Sequence, residues 1–152
     1  MNLLETLKEC AKKANCRSVV YANMETEQEF QAIIEKFRAE EYPVMLIEQL
    51  TSNGTYSPTT GMRDAVVPLT GYVLTHVKQD TLNYRMDNIE PDIIEPMKKI
   101  CKSFTKRLLV SGIVNPAGSL TDTITAAYQV TNKHLFGAKF SISLPVIDSC
   151  SC

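Results

Sequence analysis

The chain has 152 residues, is 44% hydrophobic and 22% charged, and carries a formal net charge of −1. These values fit one soluble domain with its own core, and they exclude partner selection by overall charge. No run approaches the roughly 18 apolar residues of a membrane-spanning helix, so no membrane partner is expected.

Residues 2–14 read as a first helix, with Leu3, Leu4, Leu7, Ala11 and Ala14 as its apolar stripe. The short run Ser18-Val19-Val20-Tyr21 follows as a strand. Thr26-Glu27-Gln28-Glu29 is a capping box, which satisfies the free backbone donors at a helix start. The helix it opens carries Phe30, Ile33, Ile34 and Phe37 at i, i+3, i+4 and i+7 and ends before Pro43. Residues Tyr42 to Leu50 read as a strand whose core, Val44-Met45-Leu46-Ile47, is apolar on both faces and so buried on both.

Residues 51–62, TSNGTYSPTTGM, are polar and punctuated by Asn53-Gly54, Pro58 and Gly61. Twelve residues is long for a hairpin connection, and loops of this length are usually functional or disordered. Asp64 to Val77 is a second strand, where Pro68 and Gly71 argue for an edge position or a bulge. The expectation is a long β-hairpin with an extended, projecting tip. A polar stretch, 78–88, leads to the longest helical pattern, Ile89 to Ser111.

In that pattern Ile89, Ile93, Ile94, Met97, Ile100, Cys101, Phe104 and Leu108 share one side. Lys98, Lys99, Lys102 and Lys106 share the other. Acidic residues load its start and basic residues its end, which suits the helix dipole. Pro96 cannot donate a bond back to residue 92, so the helix either kinks there or becomes regular near Glu95. After the Asn115–Gly118 turn, 121–131 and 138–146 alternate as a half-buried antiparallel pair. Ile124, Ala126 and Tyr128 lie on one face and threonines on the other. Ala138, Phe140, Ile142, Leu144 and Val146 oppose Lys139, Ser141 and Ser143.

Taken together, residues 1–152 are expected to form a single α+β domain. Its sheet is mostly antiparallel, with helices packed on one face and a long projecting β-hairpin. Residues 148–152 form a C-terminal tail.

Few residue patterns in the chain point to chemistry. The chain contains no G-x-S-x-G, G-x-G-x-x-G or Walker loop. His76 falls in a strand and His134 in a turn, where a structural or surface histidine is the default. Cys101 could act as a nucleophile, but it lies on an apolar helix face where an inert thiol is expected. Cys150 and Cys152 are two thiols without further ligands, which reads as a tail rather than a metal site. The cluster Asp87, Glu90, Asp92 and Glu95 is explained by a helix start. No cofactor, metal or catalysis is expected. Five cysteines, an odd number, and an N-terminus unlike a signal peptide point to free thiols in a reducing cytoplasm.

Two features remain. Residues 98–139 hold seven Lys or Arg and one Asp, whereas 25–48 is mostly acidic, a polarity that suits pairing with a copy or an oriented partner. The Lys98/Lys102/Lys106 stripe reads as a solvated or interface face, with phosphate binding as the alternative. The polar loop 51–62 and the Thr/Ser face of 121–143, uncharged apart from Asp122, Lys133 and Lys139, suggest assembly, since such a sheet face must be covered or blunted.

This layout resembles the small tail-terminator and tail-completion proteins of tailed bacteriophages, and the ring-forming neck proteins between capsid and tail. The resemblance rests on an N-terminal helix, the strand opening Tyr42-Pro43-Val44-Met45-Leu46 and the hairpin through 51–62. It continues through the amphipathic helix from Ile94-Glu95-Pro96-Met97 to Leu109 and the final pair ending His134-Leu135-Phe136-Gly137-Ala138-Lys139-Phe140-Ser141-Ile142. The opening 2–21 and the Cys-Ser-Cys ending fall outside it.

The resemblance implies a virion structural protein, assembled in the bacterial host cytoplasm. It would form a homo-oligomeric ring, sixfold or twelvefold, that caps or joins tail, neck or portal components. Viral DNA would pass the lumen without sequence-specific contact, and no enzyme activity is implied. On this reading Asn53, Gly54, Tyr56 and Pro58 belong to an assembly arm. Lys98, Lys102 and Lys106 form an interface face, and Asp148 lies in a second contact segment. The alternatives are a small cytoplasmic nucleic-acid-binding accessory protein or a cysteine-based enzyme.

Overall fold

The structure, a computed structural model, describes residues 3–22, 26–48, 50, 53–56, 63–77, 89–128 and 135–146. In order these form α1 (Leu3–Lys13), β1 (Ser18–Ala22), α2 (Glu27–Ile34), a 3-10 turn (Ala39–Glu41) and β2 (Val44–Glu48). Then come β3 (Asn53–Tyr56), β4 (Arg63–His76), a π-helical turn (Glu90–Ile94), α3 (Glu95–Leu109), β5 (Thr121–Ala127) and β6 (Leu135–Val146). One sheet runs β1-β2-β4-β6-β5, with β3 pairing β4 beyond the end of β2. Only β1 and β2 run parallel, from Ser18 opposite Val44 to Ala22 opposite Glu48. The other pairings are antiparallel, and the fold is α+β.

The helices do not share one face. Leu7, Cys10 and Ala11 of α1 and Met97, Cys101, Phe104 and Leu108 of α3 pack on the side of Met45, Ile47, Val73, Phe140 and Ile142. Phe30 and Ile34 of α2 pack on the opposite side, against Val44, Leu46, Leu74 and Leu135. The expectation of helices on a single face is therefore corrected. The reason lies in β2: four consecutive residues, Val44 to Ile47, are buried and alternate between the two sides, so both sides need cover. At its start α2 is capped as its sequence requires. The Thr26 side-chain oxygen accepts from the Glu29 backbone N–H at 3.1 Å.

Pro96 shapes the long helix. The backbone N–H of Glu95 donates to the carbonyl of Glu90, five residues back, and regular α-helix begins at Glu95. The missing donor of Pro96 thus falls in the first turn of α3, where no intrahelical partner is needed. Ile89 and Ile94, ahead of this point, form a separate cluster with Val77 and Phe136. The main cluster centres on Phe104, whose ring lies 5.7 Å from that of Phe140. Burying each such side chain contributes about 1.5–3 kcal/mol.

Strand β4 is central, not an edge. It pairs β6 along its whole 63–76 span except at the first two residues, from Ala65 opposite Val146 to His76 opposite Leu135. On its other flank β2 covers 71–74 and β3 covers 63–66. Residues 67–70 have no strand there among the described residues, and Pro68, which lacks a backbone donor, sits in that gap. Gly71 marks a close approach. A Cβ there would stand 2.7 Å from the Phe140 ring and overlap the Leu46 carbonyl oxygen.

The described residues do not bear out a long projecting hairpin. Asn53–Tyr56, expected in an extended loop, pair with 63–66 as a strand of the sheet. The turn 57–62 lies outside the described residues.

Candidate interaction surfaces

Two surfaces carry residues singled out from the sequence, and a cleft forms a third. The first is the sheet face that α2 leaves open. Its register stacks cross-strand rows: Thr121, Ser143 and Pro68; then Thr123, Ser141 and Thr70; then Thr125, Lys139 and Tyr72. Except for the partly buried Thr70 and Tyr72, all of these are exposed. Two of the β4 residues in these rows are tied locally. Thr70 Oγ1 donates to Glu48 Oε2 at 2.9 Å. Lys139 Nζ stands 5.6 Å from the centroid of the Tyr72 ring, a cation–π contact that engages the one ammonium group in these rows. Asp122 was expected to interrupt this face. It pairs with Ile142, so it stands on the α3 side, and the hydroxyl face is less charged than expected. Lys133 lies outside the described residues.

The second is the outer face of α3. Lys99, Lys102, Lys106 and Arg107 are exposed and make no ion pair among the described residues. Lys98 differs from the others of the stripe. It is held 3.6 Å from both Glu90 and Glu95, and only 22% of its side chain is exposed. Glu90 also accepts from the Tyr128 hydroxyl. At the end of α3, Leu109 and Val110 are 57% and 81% exposed, an apolar tip that the sequence reading did not single out. The break in the 3–4 spacing after Leu108 is the signal that could have found it.

The third is a cleft of about 520 Å³ between α1 and the end of α3, lined by Glu9, Cys10, Lys13, Arg107, Val110 and Ile113 among others. Its charges are partly matched, since Lys13 pairs with Glu9 at 2.9 Å. Cys10 is not activated there. Burial pushes its thiol up, and the neighbouring Glu9 adds to this against the smaller opposing pull of Lys13 and Arg107.

The cysteine alternative weakens on the same ground. Cys101 is fully buried, and burial pushes its thiol, like that of Cys16, from the usual 9.0 up to about 12. A thiol held neutral and out of solvent is a poor nucleophile. His76 is exposed beside the Tyr42 ring, with centroids 6.2 Å apart. Among the described residues no three His, Cys, Asp or Glu side chains are grouped to hold a metal ion. No helix among them is long and apolar enough to cross a membrane.

Among the described residues, the expected assembly residues fall on two elements, β3 and α3. Asn53, Gly54 and Tyr56 stand in β3, at the end of the sheet, with Gly54 exposed. Lys98, Lys102 and Lys106 lie on α3. Pro58, Asp148, His134, Cys150, Cys152 and the 148–152 tail lie outside the described residues. No protein-family model matches the chain, and no curated protein matches it in sequence.

Proposed function

We propose that this chain is a virion structural protein of the tail-terminator kind: a subunit that assembles with its own copies into a ring at the neck or tail of a tailed phage. The ring joins or caps connector and tail components, and DNA passes through it. The observation that carries this reading is the open hydroxyl face of β4, β6 and β5. Affinity for nucleic-acid backbone comes from Lys and Arg. A sheet face of Thr and Ser, whose one ammonium group among the described residues is drawn onto Tyr72, gives phosphates little to hold. Such a surface suits a channel wall or a subunit contact better than a binding site. An N-terminal helix, an amphipathic α3 and a final antiparallel strand pair also support this reading, without the projecting hairpin.

Light scattering on a sizing column, followed by negative-stain imaging, tests the proposal. Closed rings of about six or twelve copies support it. A monomer at high concentration that also fails to bind isolated tails or connectors overturns it.

A second reading is favoured by one observation, the four cations on α3 that make no ion pair among the described residues. If the protein is a nucleic-acid-binding accessory factor, DNA affinity falls steeply with salt and is lost in Lys102→Glu with Lys106→Glu. Absence of binding at low salt removes that reading.

A further inference from the structure

Strand β5 ends the sheet. Its inner side pairs β6 without a break, from Thr121 opposite Ser143 to Ala127 opposite Gly137. Its outer side has no strand partner among the described residues. An edge of seven residues presents a row of unpaired N–H and C=O groups, and folded proteins usually blunt such rows with lysine, proline or a bulge. Within β5, TDTITAA, there is no lysine, no proline and no interruption of register, and Asp122 is the only charge.

The composition of this edge is complementary to itself. In an antiparallel pair of two β5 strands the copies must keep their α3 sides together, so residues of equal parity meet. Three such registers centre within one residue of Ile124, and all leave Asp122 off the axis. Centred on Thr123, Asp122 stands opposite Ile124 of the other copy. Centred on Thr125, Asp122 stands opposite Tyr128, whose hydroxyl already donates to Glu90, so two carboxylates converge. Centred on Ile124, every pair is compatible. Ile124 meets its own copy, and Asp122 faces the small Ala126, which leaves it hydrated. Thr123 faces Thr125 on the hydroxyl side. The 41%-exposed Tyr128 faces Leu120, which is already packed against the core. Apolar and Thr–Thr cross-strand pairs of this kind are stabilising, whereas like charges opposite one another are not.

We propose that β5 is a homotypic contact: it pairs antiparallel with β5 of a second copy about a twofold axis through Ile124. The two sheets become one, and the two hydroxyl faces become one continuous surface. A twofold contact is closed on itself. It therefore goes beyond the ring reading, which needs a separate head-to-tail contact, and it stands whether or not rings form.

Disulfide trapping on the full chain tests it, with Cys150 and Cys152 changed to Ser to remove thiols outside the described core. Residues paired across the axis have Cα atoms about 4.5–5.5 Å apart, within disulfide reach. The Ile124→Cys chain should form a covalent dimer under mild oxidation more than about tenfold faster than the Thr121→Cys chain, because pairing raises the local thiol concentration. Thr121 and its own copy would lie roughly 20 Å apart at about 3.3 Å per residue. An equimolar mixture of Thr123→Cys and Thr125→Cys chains should cross-link with each other faster than either does with itself. Equal rates at 121 and 124, or no dimer from a folded Ile124→Cys chain, overturn the proposal. Ile124→Lys, with folding checked by circular dichroism, should lose the contact while Ile124→Val keeps it. A folded Ile124→Cys chain that forms rings but no covalent dimer refutes the edge contact and leaves the ring reading standing. A trapped dimer without rings does the reverse.

Discussion

Phe104 and Phe140 face each other across the α3–sheet interface, and Gly71 makes room for the Phe140 ring. Phe104→Ala removes the largest fully buried side chain of α3 and should cost about 3–5 kcal/mol in urea denaturation, the range for large cavities. Gly71→Ala should also destabilise, because the new methyl meets backbone at Leu46 and not only a side chain that can move. The buried thiols set an alkaline limit. Folded Cys16 and Cys101 titrate near 12, above the usual 9.0, so above pH 9 the unfolded chain releases these protons first. Stability contributed by the neutral thiols is therefore complete below pH 9 and falls between pH 9 and about 12. Cys101→Ala should flatten that fall, measured by denaturation at stepped pH. A thiol reagent at neutral pH should label Cys101 far more slowly than a free thiol; labelling faster than a free thiol would revive a cysteine-based enzyme.

At the scale of elements, local rules decided where helices begin. Thr26 caps α2 through its hydroxyl, and Thr26→Ala should cost about 1 kcal/mol, seen as a lower denaturation midpoint with unchanged slope. Pro96 forbids a regular helix across 92–96, and the chain answers with a π-helical turn before α3. Both were legible because each depends on residues close in sequence. So were the alternations in β5 and β6. Pro68 and Gly71 misled for the opposite reason: they describe the flank of one strand, and whether β2 and β3 leave a gap there depends on pairing between distant segments. The double-sided burial of Val44–Ile47 did signal cover on both faces, yet helix placement follows from the parallel β1–α2–β2 crossover, which no local pattern announces. Asn53–Tyr56 read as loop from composition, but the long β4 offers them a partner. Of the expected assembly residues, only the α3 lysines stand on a face that periodicity alone could assign. Even there the pairing of Lys98 with Glu90 depends on the π-helical turn.

Across the whole molecule, the sheet separates two unlike environments. On one side α1 and α3 cover the core and present cations and an exposed Leu109–Val110 tip. On the other, α2 covers only the β1–β2–β4 end, and hydroxyl rows extend to the open β5 edge. A subunit with unlike sides can meet its neighbours in an oriented way, as a closed ring requires. The exposed tip is a natural anchor for such a contact, because exposed apolar surface gains free energy when a partner buries it. Leu109→Asp with Val110→Asp should therefore weaken association with little effect on the unfolding midpoint, since neither side chain belongs to the core.

On the proposed reading this protein works by assembling with its own copies. Native mass spectrometry of the intact chain, over concentrations from nanomolar to tens of micromolar, reads that claim most directly. The expected result is a defined multiple of the 17.0 kDa subunit, six or twelve copies where the ring closes. A single 17.0 kDa species throughout, unchanged when tails or connectors are added, would contradict it.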